Sequence, residues 1–311
     1  MLVALAGGVG AARFLEGLVR VVNPKDITVI VNTGDDLYLY GLYISPDLDT
    51  IMYNLAGIAN TSTGWGIEGD TFHSLSMLER YGNDPWFKLG DKDLATHILR
   101  THLIRRGIPL AEVTRLLCSF LEIDVNVQPM TNQKVNTRVV TEEGILDFQD
   151  YFVRHQKTAV VRDVFFEGIK DALPPQGLLE TINSADGVII CPSNPIVSIQ
   201  PILKVRGILP AIREKPVVAI SPIVGGAPIK GPADKLMQAF NVEVSAYGVA
   251  QYYTNFLNTL VIDSVDHALQ SQIEELDITT CTTNTIMRTL DDKIALAQVT
   301  LQALKNLIEQ L

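Results

Sequence analysis

Residues 2–31, LVALAGGVGAARFLEGLVRVVNPKDITVIV, decide the fold. LVALA (2–6) and ITVIV (27–31) are short, unbroken apolar runs, the pattern of strands buried on both faces. Between them AARFLEGLVRVV (11–22) puts Phe14, Leu15, Leu18 and Val22 on one helical face, and Asn23-Pro24 ends it. A strand, a helix and a strand in so short a stretch make the minimal parallel crossover. GVIIC (187–191) and PVVAI (216–220) repeat the strand signature. The expected fold is α/β: a Rossmann-like, mainly parallel sheet covered by helices.

Working outward, Asp91 to Leu121 is helical in pattern, with RGIP (106–109) as a turn between two helices. From Glu122 to Gln156 the text is β-prone in DVNVQP, TRVVT and ILDFQDYFV, with EEG as a hairpin turn. These features predict one unit over 1–311 with a smaller, mostly helical lobe plus a short β region inserted at about 60–160. A long helix is expected around 288–310.

With 311 residues, 47% hydrophobic, the chain can bury a sizeable core. Its net charge of −10, from 25 Lys+Arg against 35 Asp+Glu, comes without a basic block, which argues against a nucleic-acid partner. Cys118, Cys191 and Cys281 are widely spaced and suggest neither a disulfide framework nor a zinc cluster. MLVALAGGVG lacks a basic leader, and no apolar run approaches the roughly 20 residues of a membrane helix. The expectation is a cytoplasmic protein with no membrane partner.

Five stretches carry chemistry. AGGVGAARF (6–14) opens the first helix with exposed amides that suit a phosphate, or is simply a tight turn. It is no P-loop, and Arg13 stands where a dinucleotide fingerprint wants its third small residue. VNTGDDLYLYGLYISPDLDTIMYN (31–54) holds Asp35, Asp36, Asp47 and Asp49, and no Lys or Arg occurs between Lys25 and Arg80. Water, protons or a divalent metal could neutralise them, and an extended run after Ser45 would put Asp47 and Asp49 on one side. As helix and turn caps the same aspartates would need no metal. CPSNPIVSIQPIL (191–203) offers Ser193, Asn194 and Ser198 on a proline-fixed loop, with Asn194 suited to a purine edge. SPIVGGAPIKGPADKL (221–236) combines Gly225-Gly226 with Lys230 and Gly231 as a further anion cradle. In LGDKDLATHILR (89–100), Asp91 or Asp93 is expected to cap the helix and Lys88 or Lys92 to reach a ligand. His97 and His102 give no metal pattern, and Trp65 is a ring platform or a loop anchor.

Together AGGVGAARFLEGL, VNTGDDLYLYGLYISPDLDTIMY, GWGIEGD, LGDKDLATHILR, PSNPIVSIQPIL and SPIVGGAPIKGPADKLM resemble the 2-phospho-L-lactate transferase family of coenzyme F420 biosynthesis, over most of the chain to about Val249. GGVGAARFL and LGDKDLATH are nearer its bacterial branch, phosphoenolpyruvate transferase. The resemblance implies a homodimeric enzyme that takes a phospholactyl or phosphoenolpyruvyl group from a GDP-activated donor. The ribityl hydroxyl of the deazaflavin Fo accepts it, GMP leaves, and Mg²⁺ is required. By position, Asp49 and Lys88 match Fo-contacting residues, with Asp49 orienting the hydroxyl and accepting its proton and Lys88 steadying charge. Asp35 and Asp47 match metal-holding positions; Gly7, Gly8, Val9 and Gly10 with Pro192, Ser193 and Asn194 match the nucleotide-binding loops.

Two other readings compete. A gluconeogenesis-factor type of nucleotide-sugar-binding regulator shares the glycine-rich start and an aspartate pair, but ISPDLDT with LGDKDLATH favours the transferase. A nicotinamide oxidoreductase is weakened by the missing third glycine. The last 60 residues add nothing to the assignment.

Overall fold

The computed structural model describes residues 1–155, 159–229 and 231–309. Its centre is a seven-stranded sheet in which every neighbouring pair is parallel. Strand β1 (Leu2–Ala6) lies in the interior, with β2 (Ile27–Val31) and then Asn126–Pro129 on one side. On the other side run Gly187–Ile190, Val217–Ile220, Thr259–Asp263 and Thr279–Thr283, in that order.

The unbroken apolar runs are explained by packing on both faces. Val3, Leu5, Ile30, Val188 and Ile190 belong to one hydrophobic cluster, and the intervening Ala4, Ala6, Val29, Val31 and Ile189 to the other. Helix α1 (Gly8–Leu18) covers the second face together with the C-terminal helix Leu290–Glu309. The two helices pack closely: a Cβ on Gly17 would meet the Lys293 carbonyl, and Lys293 Nζ is 2.5 Å from Glu16. α1 starts earlier than its apolar stripe suggests, because its first turn is the glycine turn itself.

Between β2 and Asn126–Pro129 the chain forms helices α2 (Pro46–Leu55), α3 (His73–Arg80), α4 (Asp91–Arg105) and α5 (Leu110–Phe120). Within 60–160, the range expected for an inserted lobe, Asn126–Pro129 is an edge strand of the main sheet, paired with β2. Beyond it Asn136–Thr141 and Gly144–Asp147 make the expected hairpin around Glu142-Glu143, joined by Val161–Glu167. The strand signal in ILDFQDYFV ends at Asp147; Asp150–Arg154 is a helical turn that buries Tyr151. Among the described residues no helix is long and apolar enough to cross a membrane.

The chain runs from β1 to β2 in one direction across the sheet and returns to β1's other side through Gly187–Ile190. The order reverses at that pair, so the crevice beyond their carboxyl ends is the place where open α/β sheets receive ligands.

Candidate functional site

A cleft of about 1070 Å³ opens at this switch point. Its floor is the glycine turn after β1 and the loop after Ile190. Gly7 N–H donates to Ser193 Oγ at 3.2 Å. A Cβ on Gly10 would run into the Pro192 carbonyl, and one on Gly7 would stand 2.7 Å from Ser198 Cβ and 2.8 Å from Asp47 Oδ2. Glycine is needed at both places by close approach, and at Gly8 by a φ of 72°. Gly7, Gly8, Val9 and Gly10 thus line the same cleft as Pro192, Ser193 and Asn194. Asn194 spends its side-chain oxygen on the amides of Ile196 and Val197, capping the π-helical turn Pro195–Ile199. Ser198 lies inside that turn.

The four aspartates fall into three settings. Asp35 and Asp47 converge: the Asn32 side-chain amide donates to Asp35 Oδ2 at 3.2 Å and to Asp47 Oδ2 at 2.9 Å. Burial first, then the negative charge of Asp47, pushes the Asp35 carboxyl well above the usual carboxylate range. Burial likewise raises Asp47 to about 6, against the pull of the Asn32 bond. Asp35 Oδ1 is buried and has no hydrogen-bond partner. Two carboxylates crowded together, one with an idle buried oxygen, fit a hard divalent cation, which takes one or two carboxylates and keeps waters and substrate oxygens besides. Asp36 is satisfied differently, by the hydroxyls of Tyr43 at 2.7 Å and Ser45 at 2.6 Å, while burial raises it to about 8.

Asp49 forms the third setting and corrects the expected geometry. Pro46 is the first residue of α2, not part of an extended run, so Asp47 and Asp49 sit about 200° apart around a helix and face opposite ways. Asp47 turns to the glycine turn; Asp49 turns to α4, where Arg100 grips both its oxygens, one of them at 3.1 Å. Arg100 is wholly buried. It also approaches His97 Nδ1 at 3.3 Å, and His97 Nε2 lies 3.2 Å from Asp93 Oδ1, which accepts the Tyr53 hydroxyl at 2.6 Å. Burial works to raise Asp93, yet the His97 and Tyr53 hydrogen bonds win and leave it below the usual range. Asp49, Asp93 and His97 can each bring one ligand atom within 4.8 Å of the others, a possible metal-binding triad. Arg100 already supplies positive charge there, whereas Asp35 and Asp47 are met by neutral donors, the Asn32 side-chain amide for both, the Thr137 hydroxyl near Asp35 and the Gly8 N–H at Asp47.

The remaining candidates are distributed as follows. Lys88 is exposed and lines the cleft with Asp49, Trp86, Phe87 and the half-exposed Trp65. Neither Asp91 nor Asp93 caps its own helix. Asp91 accepts the amides of His73 and Ser74 at the start of α3, and Asp70 accepts those of Lys92 and Asp93 at the start of α4. Lys92 Nζ donates to the Glu68 carbonyl. The Gly225 amide is taken by the Asp266 carboxylate at 3.1 Å, so the protein's own anion fills that cradle. Lys230 lies outside the described residues.

Sequence reasoning missed the Tyr53–Asp93–His97–Arg100 set. The signal was present: Asp93, His97 and Arg100 are spaced i, i+4, i+7, which is one face of a helix. It also missed Thr285–Arg288, from the last 60 residues, which line the cleft. No motif marks them; the Asp263 carboxylate holds Thr285 by its amide at 2.7 Å and its hydroxyl at 3.0 Å, and the C-terminal helix that follows packs on α1.

A parallel α/β sheet with a cleft at its switch point, a glycine-turn floor and a crowded carboxylate pair defines a protein of the Rossmann-like class, whose ligands bind in that crevice. Residues 2–299 match the model of the family described as 2-phospho-L-lactate transferase CofD. The chain belongs to this family, and it is a transferase. It is 42% identical over 301 residues to 2-phospho-L-lactate transferase of Methanothermobacter thermautotrophicus, covering 97% of each chain. It is 44% identical over 311 residues to phosphoenolpyruvate transferase of Streptomyces avermitilis, again covering 97% of each. Among solved structures, a UPF0052-family protein from Bacillus halodurans superimposes with a TM-score of 0.61 at 17% identity, covering 96% of this chain and 98% of that one. That likeness concerns the fold alone.

Proposed function

We propose that the protein transfers a phospholactyl or phosphoenolpyruvyl group from a GDP-activated donor to the ribityl hydroxyl of the deazaflavin Fo. GMP is released and coenzyme F420-0, or its dehydro form, results. Membership of the family supports the transferase chemistry, and the relatives' names point to a phosphorylated three-carbon acid. The observation that carries the reading is the Asp35–Asp47 pair beside the glycine turn, with Asp35 Oδ1 idle. A diphosphate could not approach two carboxylates without a cation between them. Asp35 and Asp47 would hold Mg²⁺, which when bound supplies charge neutralisation to the diphosphate and the leaving GMP.

The chain's own groups do the positioning. Amides at the start of α1, those of Val9 and Gly10, face the phosphates, while Gly7 and Gly8 shape the turn beneath them. The Pro192–Asn194 loop borders the nucleotide. Asp49, held rigid by Arg100, orients the attacking hydroxyl from across the cleft, and Lys88 steadies the charge that develops. Trp65, Trp86 and Phe87 give the tricyclic acceptor apolar faces to lie against. Two copies of the chain form the working assembly.

The test is incubation of purified protein with Mg²⁺, Fo and each guanylylated donor, following GMP and the phosphorylated deazaflavin by mass. GMP and product in equal amounts are expected with at least one donor. Absence of GMP with every donor overturns the reading.

A further inference from the structure

Beside the main cleft lies a smaller cavity of about 250 Å³. Asp35, Trp86, Phe148 and Gln149 line both, so the two spaces meet at Asp35. The far side of the cavity is the start of the hairpin strand Asn136–Thr141 and the residues leading into it. That wall is fixed to the site: Thr137 N–H donates to the Gly34 carbonyl at 2.6 Å. Thr137 is only 1% exposed, and its buried hydroxyl lies close enough to the Asp35 carboxyl to lower its proton affinity. Both residues line the cavity.

Charge distinguishes the lining residues. The Arg138 guanidinium is engaged by Asp147 and Glu167, and Asp36 by two hydroxyls. Lys134 lines the cavity, is exposed, and makes no ion pair among the described residues. Asp150 also lines it, so an anionic ligand would depend the more on Lys134. At this size the space is below the roughly 300–1,000 Å³ of pockets for drug-sized ligands and suits a fragment of a few atoms.

We infer that this side cavity is the specificity pocket for the small carboxylic acid on the donor, with Lys134 meeting its carboxylate. The inference rests on the guanylylated-donor reading above. It follows from what that donor must do: its diphosphate lies at the glycine turn and the Asp35–Asp47 pair, and the acid attached to the diphosphate projects one bond further. Along the main cleft it would meet Asp47 and Asp49 and compete with the nucleotide and the acceptor for Arg13, Lys88 and Arg288. Through Asp35's other side it reaches a cavity with a free ammonium. The transferred acid is then read by the hairpin, not by the sheet.

The test measures binding by calorimetry in Mg²⁺ without Fo, so that no turnover occurs, using GDP and lactyl- and enolpyruvyl-diphosphoguanosine as ligands. Lys134→Ala should weaken the better acid-bearing donor about tenfold while leaving GDP within about twofold, as loss of a charge-assisted hydrogen bond requires. Lys134→Arg should restore most of the loss. Equal weakening of donor and GDP, or no change in either, overturns the pocket assignment while the reading above stands. Wild-type protein that binds neither GDP nor any donor overturns that reading and the pocket with it.

Discussion

Arg100 reaches from α4 to both carboxylate oxygens of Asp49 on α2, 51 positions earlier, and neither side chain is more than 8% exposed. It is the cation that the long Lys- and Arg-free stretch lacks. The pair also fixes Asp49's orientation at the edge of the cleft. Burial of Arg100 works against its charge, yet the Asp49 charge and hydrogen bonds hold it firmly protonated.

Removing one partner of such a pair leaves the other charged and unpaired in a low-dielectric site. Arg100→Met is expected to lower folding stability by about 3–5 kcal/mol. Asp49→Asn in the same background should recover a large part of that, because the stranded charge is gone. Urea denaturation of the two single variants and the double variant gives the coupling directly. Additive losses would mean the two side chains do not act as a pair.

Much of this was legible and some was not. Strand runs at 2–6, 27–31, 187–190 and 217–220 were plain because burial on both faces leaves Thr28 as the one polar residue in them. Of the site, the glycine turn and the proline loop were visible as local motifs at strand ends. Partition of the four aspartates was not, because it depends on whether Ser45-Pro46 opens a strand or a helix. A proline preceded by serine serves both, and the helix places Asp47 and Asp49 on opposite sides. Arg100 was invisible as a partner because its contact spans 51 residues. Thr285–Arg288 carry no pattern of their own.

Gly10 tests the floor of the cleft. Its missing Cβ would occupy the position of the Pro192 carbonyl, a backbone atom that cannot rotate aside. Gly10→Ala should therefore push α1 and the 192–194 loop apart. A stability loss of about 1–3 kcal/mol is expected from overpacking, together with at least tenfold weaker GDP binding. Thermal denaturation and calorimetry report the two effects. Normal GDP affinity in a destabilised variant would separate the nucleotide site from this contact.

The raised carboxyls set a pH dependence. Asp47 moves from 3.8 to about 6 and Asp36 from 3.8 to about 8, each chiefly through burial. Such groups hold more protons folded than unfolded, so their stabilisation is complete below 3.8 and is lost as pH rises through 6 and then 8. Without metal, the protein should thus lose stability from these groups between pH 4 and pH 8. Binding of Mg²⁺ at Asp35 and Asp47 must displace their protons, so its affinity should fall as pH drops through about 6. The measurement is melting temperature against pH with and without millimolar Mg²⁺. A Mg²⁺-induced rise as large at pH 5 as at pH 8 would place the ion elsewhere, the Asp49–Asp93–His97 triad being the first alternative.

Asp35→Asn separates stability from function at one position. In the metal-free protein the wild-type carboxyl is buried, crowded by Asp47, and has one oxygen without a partner. Neutralising it removes that repulsion, and an asparagine oxygen can still accept from Asn32 as Asp35 Oδ2 does. Metal-free stability at pH 8 should rise, and Asp47 should still titrate near 6, because burial and not the Asp35 charge raises it. The same change removes half of the charge that would hold the cation. The Mg²⁺-induced rise in melting temperature should disappear and turnover should fall by at least a hundredfold, the usual scale for losing one electrostatic partner at the reacting centre. Opposite signs in stability and activity are what a functional carboxylate pair demands, whereas a structural pair would lose both together.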